Sequence, residues 1–176
     1  MTAAPDIFLS YNREDQAVAR RFAEAFEREG LKVWWDATLR SGEAYDEVTE
    51  TALGSAKAVV VLWSKKSVVS RWVRAEATVA DRNKTLVPAM IEPCNRPIMF
   101  ELTQTADLSR WDGSPADQAW RAFVADVKRF VEARALGQSS DSPSRSSAPP
   151  PASAGVPQAS ATVPLASGTS LPDRLS

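Results

Sequence analysis

The strongest constraint on the fold is the segment KAVVVLWS, residues 57–64, in which six apolar residues follow one another without a polar interruption. An apolar run of this length, rich in valine, is typical of a β-strand that is buried on both faces. Strands of that kind occur in mostly parallel sheets that are covered by helices on both sides. The segment therefore predicts an α/β protein rather than an open antiparallel sheet.

Other short apolar runs alternate with amphipathic stretches along the chain. The predicted strands are residues 6–10, 31–36, 57–64, 85–92 and a possible short fifth strand at 107–111. The predicted helices lie within residues 13–30, 46–56, 68–82 and 114–136, the last with Ser114 as N-cap, Pro115 at its first position and Gly137 after its end. Pro88, inside the fourth strand, predicts a position where no backbone donor is needed. This alternation predicts a mostly parallel sheet covered on both faces.

Composition divides the chain near Gly137. Residues 137–176 contain seven of the twelve prolines, eleven serines and no aromatic residue, whereas all six tryptophans precede them. A segment of this composition lacks the apolar surface needed to offset the entropy of ordering it. We therefore expect one folded domain at residues 4–136 and a disordered tail or linker at residues 137–176.

The charge and residue inventory excludes several functions. A net charge of −1 with 24% charged residues gives no reason to expect nucleic acid or an acidic membrane surface as partner. The chain has no histidine, and its one cysteine, Cys94, cannot form an internal disulfide or a cysteine-rich zinc site, so we expect no metal and no cofactor. The opening residues MTAAPDIFLSYN lack the basic start and the apolar h-region of a signal peptide, and no apolar run approaches about 20 residues, so we expect a cytoplasmic protein.

One helix carries a spacing that suggests a site. In WSKKSVVSRWVRAEATVADR, residues 63–82, Trp72 and Glu76 are four residues apart, so they share a helix face just beyond the third strand. Ligands of parallel sheets bind outside the carboxyl ends of the strands. Both side chains can therefore point into one cleft at that edge.

At this point the residues resemble the TIR (Toll/interleukin-1 receptor) domain family, and bacterial TIR proteins more closely than animal receptors. DIFLSYNRED looks like the first strand of a TIR domain, GLKVWWDATLRSGEAY like its BB loop, and AKAVVVLWSKKSVVSRWVRAE like its third strand and the following helix. The resemblance covers about residues 5–134. It implies a flavodoxin-like, five-stranded sheet and one of two functions, which are cleavage of NAD+ and non-catalytic assembly with other TIR proteins.

In the cleaving members a glutamate within W-x-x-x-E is catalytic, which corresponds to Glu76 with Trp72 as its companion. The resemblance also implies that Asn12 and Arg13 contact NAD+, which is substrate and not cofactor. It implies that Arg40, which follows Leu39 in the BB loop, also faces the nucleotide, although cleaving members often carry an acidic residue at this position. The less certain candidates for substrate contact are Ser10, Tyr45 and Ser70.

The resemblance further implies self-association, or association with other TIR domains, through the BB loop from Asp36 to Tyr45. It implies a role in bacterial defence against viruses or in interference with a host. The product stays open between ADP-ribose and a cyclic form.

Simpler interpretations of the same residues exist. Glu76 could be a solvated helix residue, Trp72 a core side chain and Arg13 part of a surface helix start. Ser64, Ser67 and Ser70 favour helix caps and turns. A Rossmann dehydrogenase is excluded because no G-x-G-x-x-G follows a strand. A phospho-accepting receiver is excluded because the first and third strands do not end in the acidic residues that it needs.

Overall fold

The computed structural model describes residues 4–35 and 47–139 of the 176-residue chain. Its strands are β1 (Ile7–Ser10), β2 (Val33–Trp34), β3 (Ala58–Trp63), β4 (Leu86–Met90) and β5 (Ala106–Asp107). Its α-helices are α1 (Gln16–Arg28), α2 (Glu47–Ser55), α3 (Arg71–Arg82), α4 (Ile98–Glu101) and α5 (Gln118–Ser139). Two single-turn 3-10 helices, Arg13–Asp15 and Ser67–Val69, lie after β1 and β3.

The strands form one parallel sheet in the order β2-β1-β3-β4-β5. This is the flavodoxin-like order, and it confirms the predicted five-stranded, mostly parallel sheet with helices on both faces. The chain moves outward in one direction from β1 to β2 and in the other from β3 to β5. β1 and β3 therefore flank the point where the strand order reverses, which is where ligands of open α/β sheets bind.

Two hydrophobic clusters lie on opposite faces of the sheet. The cluster on the α1/α5 face is rich in aromatic rings, and Trp120 stacks on Trp111 with ring centroids 4.2 Å apart. The cluster on the α2/α3 face includes Phe8, Trp63 and Phe100. β3 supplies both clusters alternately because successive side chains of a strand point to opposite faces. All six residues of β3 are buried, as the apolar run predicts.

Trp34 and Trp35 follow the same alternation at the sheet edge. Trp34 stacks on Phe8 at 4.7 Å in the α2/α3 cluster, whereas Trp35 contacts Tyr11 on the α1/α5 face. The described part of β2 is shorter than the predicted strand 31–36, and residue 36 lies outside the described residues.

Pro88 lies within β4 at a position that tolerates the loss of a donor. The amide of Ile91 donates to Trp63 in β3, whereas the carbonyl of Met90 accepts from Leu108 beyond β5. The backbone N–H and C=O groups of the even-numbered residues of β4 therefore point toward β5. Among the described residues, β5 pairs with Ala89 and Met90 of β4. The nitrogen of Pro88 points toward the β5 side of β4, where none of the described residues pairs with it, in agreement with the prediction.

Two predicted boundaries were wrong. α5 begins at Gln118 and not after Ser114, because Asp117 is the capping residue and its Oδ1 accepts the amide hydrogen of Trp120 at 2.9 Å. The helix also continues through Gly137 to Ser139, although glycine is a weak helix former. The division between a domain and a tail near Gly137 therefore stays a prediction from composition.

The fifth strand was also misplaced. β5 spans Ala106–Asp107, so it overlaps the predicted strand 107–111 at only one residue. The side chain of Asp107 accepts hydrogen bonds from the amide of Ser109 at 3.1 Å and from its hydroxyl at 2.6 Å. This local turn ends the strand, because an aspartate that bonds the backbone two residues on favours a turn over an extended ladder.

Candidate active site

A buried carboxylate and a buried hydroxyl meet at the switch point of the sheet. Ser10 is the last residue of β1, and alternation places its side chain on the same face as Phe8, which α3 covers. Glu76 lies on the buried side of α3 and is only 7% exposed. The Ser10 hydroxyl donates a hydrogen bond of 2.5 Å to Oε2 of Glu76. The reading of Glu76 as a solvated helix residue is therefore wrong.

The start of α3 fixes the direction of this carboxylate. Ser70 is the N-cap of α3, and its Oγ accepts the amide hydrogen of Val73 at 3.4 Å. The buried stripe of the helix consists of Val73, Glu76, Ala77 and Ala80. The small alanines that follow the glutamate in this stripe let the helix lie close to the sheet, so Glu76 reaches the end of β1.

Trp72 lies one turn before Glu76, at the edge of the buried stripe. Its side chain is 56% exposed, so the indole is not part of the core. In the structure Glu76 is buried, whereas Trp72, one turn earlier on the same helix, is largely exposed. That the two side chains line one cleft stays a prediction.

Burial dominates the electrostatics of Glu76. Removal from water raises the pKa of this carboxyl from 4.5 to about 7, and the Ser10 hydrogen bond partly opposes the rise. Among the described residues no lysine or arginine forms an ion pair with Glu76. The group therefore exists as a mixture of carboxylic acid and carboxylate near neutral pH, which is the state expected of a reactive carboxyl.

A second hydrogen-bond network ties the segment after β1 to the segment after β3. The Ser64 hydroxyl donates to Oδ2 of Asp15 at 2.5 Å and accepts from the amide of Ser67 at 3.0 Å. In return, Oγ of Ser67 accepts from the amide of Ser64 at 2.7 Å. The network holds the two sides of the switch point together. Ser64, Ser67 and Ser70 thus serve as caps and turn formers, in agreement with the simpler interpretation.

Sequence analysis did not find Asp15. No spacing pattern links it to Ser64, because 49 residues separate the two partners. The available signal was topological, since the segments that follow adjacent parallel strands lie at the same edge of the sheet.

Asn12 and Arg13 lie at the same edge, in the segment after β1. Asn12 caps the 3-10 helix, with its Oδ1 accepting from the amide of Glu14 at 3.0 Å, and its Nδ2 donates to the carbonyl of Lys66 at 3.5 Å. Arg13 is exposed at the first position of that 3-10 helix. The structure thus brings Ser10, Asn12 and Glu76 to one edge, and it leaves a role for each in substrate binding as a prediction.

Three predictions fall on a segment that the structure does not describe. Arg40, Tyr45 and the whole BB loop from Asp36 to Tyr45 lie outside the described residues. Their expected contacts with substrate or with a second TIR domain therefore stay predictions.

Residues 4–35 and 47–139 offer neither a membrane-spanning helix nor a cluster of metal-ligating side chains. No helix in these ranges is long and apolar enough to cross a membrane. The same ranges contain no group of three or more cysteine, aspartate or glutamate side chains placed to hold a metal ion.

The fold defines a flavodoxin-like α/β protein with a buried carboxyl at the edge of the sheet where open α/β sheets generally bind ligands. The family model described as "TIR domain" matches residues 7–124, which is more than half of the chain. The chain therefore belongs to the TIR domain family, as the sequence motifs predict. No curated protein matched the chain.

Solved structures show the same fold. The TIR domain of the Toll-related receptor TRR-2 from Hydra magnipapillata is 19% identical with a TM-score of 0.60, and the match covers 71% of this chain and 99% of that one. A TIR-STING receptor from C. gigas, solved with 2′,3′-cGAMP, is 22% identical with a TM-score of 0.54. That match covers 72% of this chain but only 39% of the receptor. At these identities the likeness concerns the fold alone.

Proposed function

We propose that this TIR domain cleaves NAD+ at the bond between nicotinamide and ribose, with Glu76 as the catalytic carboxylate. The observation that carries the proposal is a carboxyl that is 7% exposed, lies at the switch point of the sheet and has no cationic partner among the described residues. Burying such a group costs stability, and the fold gains no ion pair from it. A perturbed carboxyl at a ligand-binding edge is a candidate for catalysis.

The chemistry requires little beyond one negative charge. When the glycosidic C–N bond of NAD+ breaks, its electron pair stays on the pyridinium nitrogen and nicotinamide leaves as a neutral molecule. No general acid is needed, so the lack of histidine is no obstacle. Positive charge develops on the ribose, and the ionised carboxylate of Glu76 stabilises it. Water then attacks C1′ and loses a proton, which yields ADP-ribose, whereas attack by another nucleophile of the substrate would give a cyclic product.

Neighbouring residues are assigned supporting roles. The exposed Trp72 indole provides a flat apolar wall at the rim beside the carboxylate, which can pack on a ring of the substrate and limit the access of water. Arg13 is exposed at the same edge and suits a phosphate group. Asn12, Arg40, Tyr45 and Ser70 are the further candidates for contacts with NAD+. The reaction needs no cofactor.

The biological setting is proposed at the level that the resemblance allows. A cytoplasmic bacterial protein that consumes NAD+ would serve defence against viruses or interference with a host. Cleaving TIR domains often form their sites between neighbouring protomers, and we expect the same use of the BB loop here. Specific activity should then rise with protein concentration.

The experiment measures nicotinamide release by concentrated protein incubated with NAD+ at pH 8. We expect the wild type to release nicotinamide. Glu76→Gln should release it at least about a hundredfold more slowly, because the variant keeps the shape of the side chain and loses its charge. Glu132→Gln is the matched control, since the same change is made at an exposed position on α5. A folded Glu76→Gln protein with wild-type turnover would refute the assignment.

The second candidate function is a non-catalytic module that binds other TIR domains. The observation that favours it is a group of exposed apolar side chains on and after α4, where Ile98 is 85%, Met99 59% and Leu102 99% exposed. Arg96 holds this segment rigid by donating to the carbonyls of Phe100 at 3.2 Å and Thr103 at 2.9 Å. If the wild type releases no nicotinamide at any concentration, and Leu102→Glu abolishes its self-association, the module is the better assignment.

A further inference from the structure

The two oxygens of the Glu76 carboxyl have different surroundings. Oε2 accepts the hydroxyl hydrogen of Ser10 at 2.5 Å, which is within the short range typical of an O–H donor on a charged carboxylate. The described residues provide no further hydrogen bond or ion pair to the carboxyl. Oε2 is thus held by Ser10 of β1, whereas Oε1 accepts no hydrogen bond from the described residues.

The position of Ser10 makes this hydrogen bond a fixed one. Ser10 is 1% exposed and is paired with Val61 of β3 in the centre of the sheet. Its side chain has only one rotatable bond to its oxygen, so the backbone of β1 defines where the hydroxyl can lie. A long flexible side chain such as Glu76 gains orientation from a partner of this kind, because most of its rotamers do not reach the hydroxyl.

We propose that Ser10 is the positioning residue of Glu76, holding Oε2 so that Oε1 is the oxygen directed at the ribose of the substrate. The inference rests on the proposed cleavage of NAD+, and it changes the role expected from sequence. Ser10 does not bind NAD+ but acts through the glutamate. Its single hydroxyl hydrogen is already donated to Oε2, which leaves it no donor for a substrate atom.

No other described group takes over this function. The three strands that pack against α3, which are β1, β3 and β4, contain no ionisable side chain, and neither does the 3-10 helix Ser67–Val69. The charged side chains on the neighbouring helix α2 are Glu47 and Glu50, both exposed. Those on α3 itself are Arg71, Arg74 and Arg82, which are exposed, and Asp81, which is partly buried. The influences on the pKa of Glu76 are accordingly burial, which raises it, and the Ser10 hydrogen bond, which lowers it.

The test follows the titration of Glu76 itself and needs no turnover. Protein labelled with 13C at the glutamate carboxyl carbon is titrated by NMR, and the Glu76 signal is assigned by its loss in Glu76→Gln. The wild-type midpoint should lie at about 7. In Ser10→Ala it should rise by about one pH unit, because a hydrogen bond to the charged form is lost. In Ser10→Thr, which keeps a hydroxyl, the midpoint should lie close to that of the wild type.

The control is Ser67→Ala. Ser67 is as buried as Ser10 and lies at the same edge of the sheet, but its hydroxyl is hydrogen-bonded to Ser64 and not to Glu76. Its midpoint should equal that of the wild type. An unchanged midpoint in Ser10→Ala would overturn the proposal, and so would an equal rise in Ser67→Ala.

Kinetics with NAD+ separate positioning from direct binding. A positioning role predicts that Ser10→Ala lowers kcat at pH 7 several-fold with little change in KM, and that raising the pH to 9 recovers part of the loss. A raised KM with unchanged kcat would show that Ser10 binds the substrate and would overturn the proposal. If the wild type shows no turnover, the proposed function fails, whereas the titration still decides whether Ser10 controls Glu76.

Discussion

Two carboxylates at opposite ends of the same pair of strands have opposite surroundings. Asp6 precedes β1 at the amino end of the sheet, where its Oδ1 accepts from the ammonium of Lys57 at 2.7 Å and its Oδ2 from the amide of Lys32 at 2.9 Å. Glu76 lies at the carboxyl end and is more deeply buried, and its carboxyl has the Ser10 hydroxyl as its one hydrogen-bond partner within residues 4–35 and 47–139. The two groups therefore differ in how their burial is compensated.

The pKa values follow from that difference. Partial burial acts on Asp6 to raise its pKa, but the hydrogen bonds and charge of Lys57 and the amide of Lys32 outweigh it and hold the pKa below its ordinary value. Burial of Glu76 is opposed only by a neutral hydroxyl, so its pKa rises to about 7. The carboxylate of Asp6, which joins strands, is paired with a cation, whereas Glu76 has no cation among the described residues and stays available to a cationic ligand.

The largest expected dependence of stability on pH comes from Glu76. Its folded pKa exceeds the unfolded value of 4.5, so the folded state binds the extra proton between pH 4.5 and about 7. The contribution of Glu76 to stability is thus fully present below pH 4.5 and is lost as pH rises through 7. Relative to wild type, Glu76→Gln should gain roughly 3 kcal/mol in unfolding free energy between pH 4.5 and pH 8.

Urea unfolding of both proteins across this range checks the prediction, because the difference between them cancels all other titrating groups. A difference that is constant from pH 4.5 to 8 would show that Glu76 titrates normally and that its burial has no electrostatic cost.

The contribution of Asp6 to the unfolding free energy should depend on pH in the opposite direction, and the effect should be smaller. Its folded pKa lies below the unfolded value of 3.8, so its contribution to stability is present above pH 3.8 and is lost as pH falls through the folded value. Asp6→Asn should therefore lower the unfolding free energy by about 1 kcal/mol at pH 7 and by much less in acid. Nicotinamide release should persist, because Asp6 lies at the other end of the sheet. Loss of activity in a folded Asp6→Asn protein would break the contrast between a structural and a functional carboxylate.

The smallest effect on stability is expected at Trp72. Because the indole is 56% exposed, Trp72→Ala should change the unfolding free energy by only about 0.5 kcal/mol, whereas Trp120→Ala, at a position 1% exposed, should cost about 3–5 kcal/mol. Trp72→Ala should nevertheless weaken the use of NAD+. Equal destabilisation by the two substitutions, measured by urea unfolding, would place the Trp72 indole in the core.

The sequence predicted the elements that rest on long apolar patterns. The apolar run of β3 and the stripes of α1 and α3 are local signals, and they led to the correct five-stranded sheet. The prediction from sequence was wrong where a single side chain determines the boundary of a helix or strand. The start of α5 depends on Asp117 rather than Ser114, and the end of β5 depends on the turn that Asp107 forms with Ser109.

Only the local part of the site could be predicted from the sequence. The spacing of Trp72 and Glu76 is a property of one helix, so the sequence shows it. The contacts of Glu76 with Ser10 and of Ser64 with Asp15 join residues 66 and 49 positions apart, and they exist only once the parallel strands bring the two segments to one edge. The burial that raises the pKa of Glu76 arises in the same way and has no signature in a single helix.

The most direct test of the account is the dependence of kcat/KM for nicotinamide release on pH. This parameter reports the ionisation of the free enzyme, so it should rise with pH and level off, with a midpoint near the value of about 7 held by Glu76. The small residual activity of Glu76→Gln should show no such rise. A wild-type kcat/KM that is constant from pH 5 to 9, or a midpoint that persists in Glu76→Gln, would contradict the claim that the buried carboxylate carries the reaction.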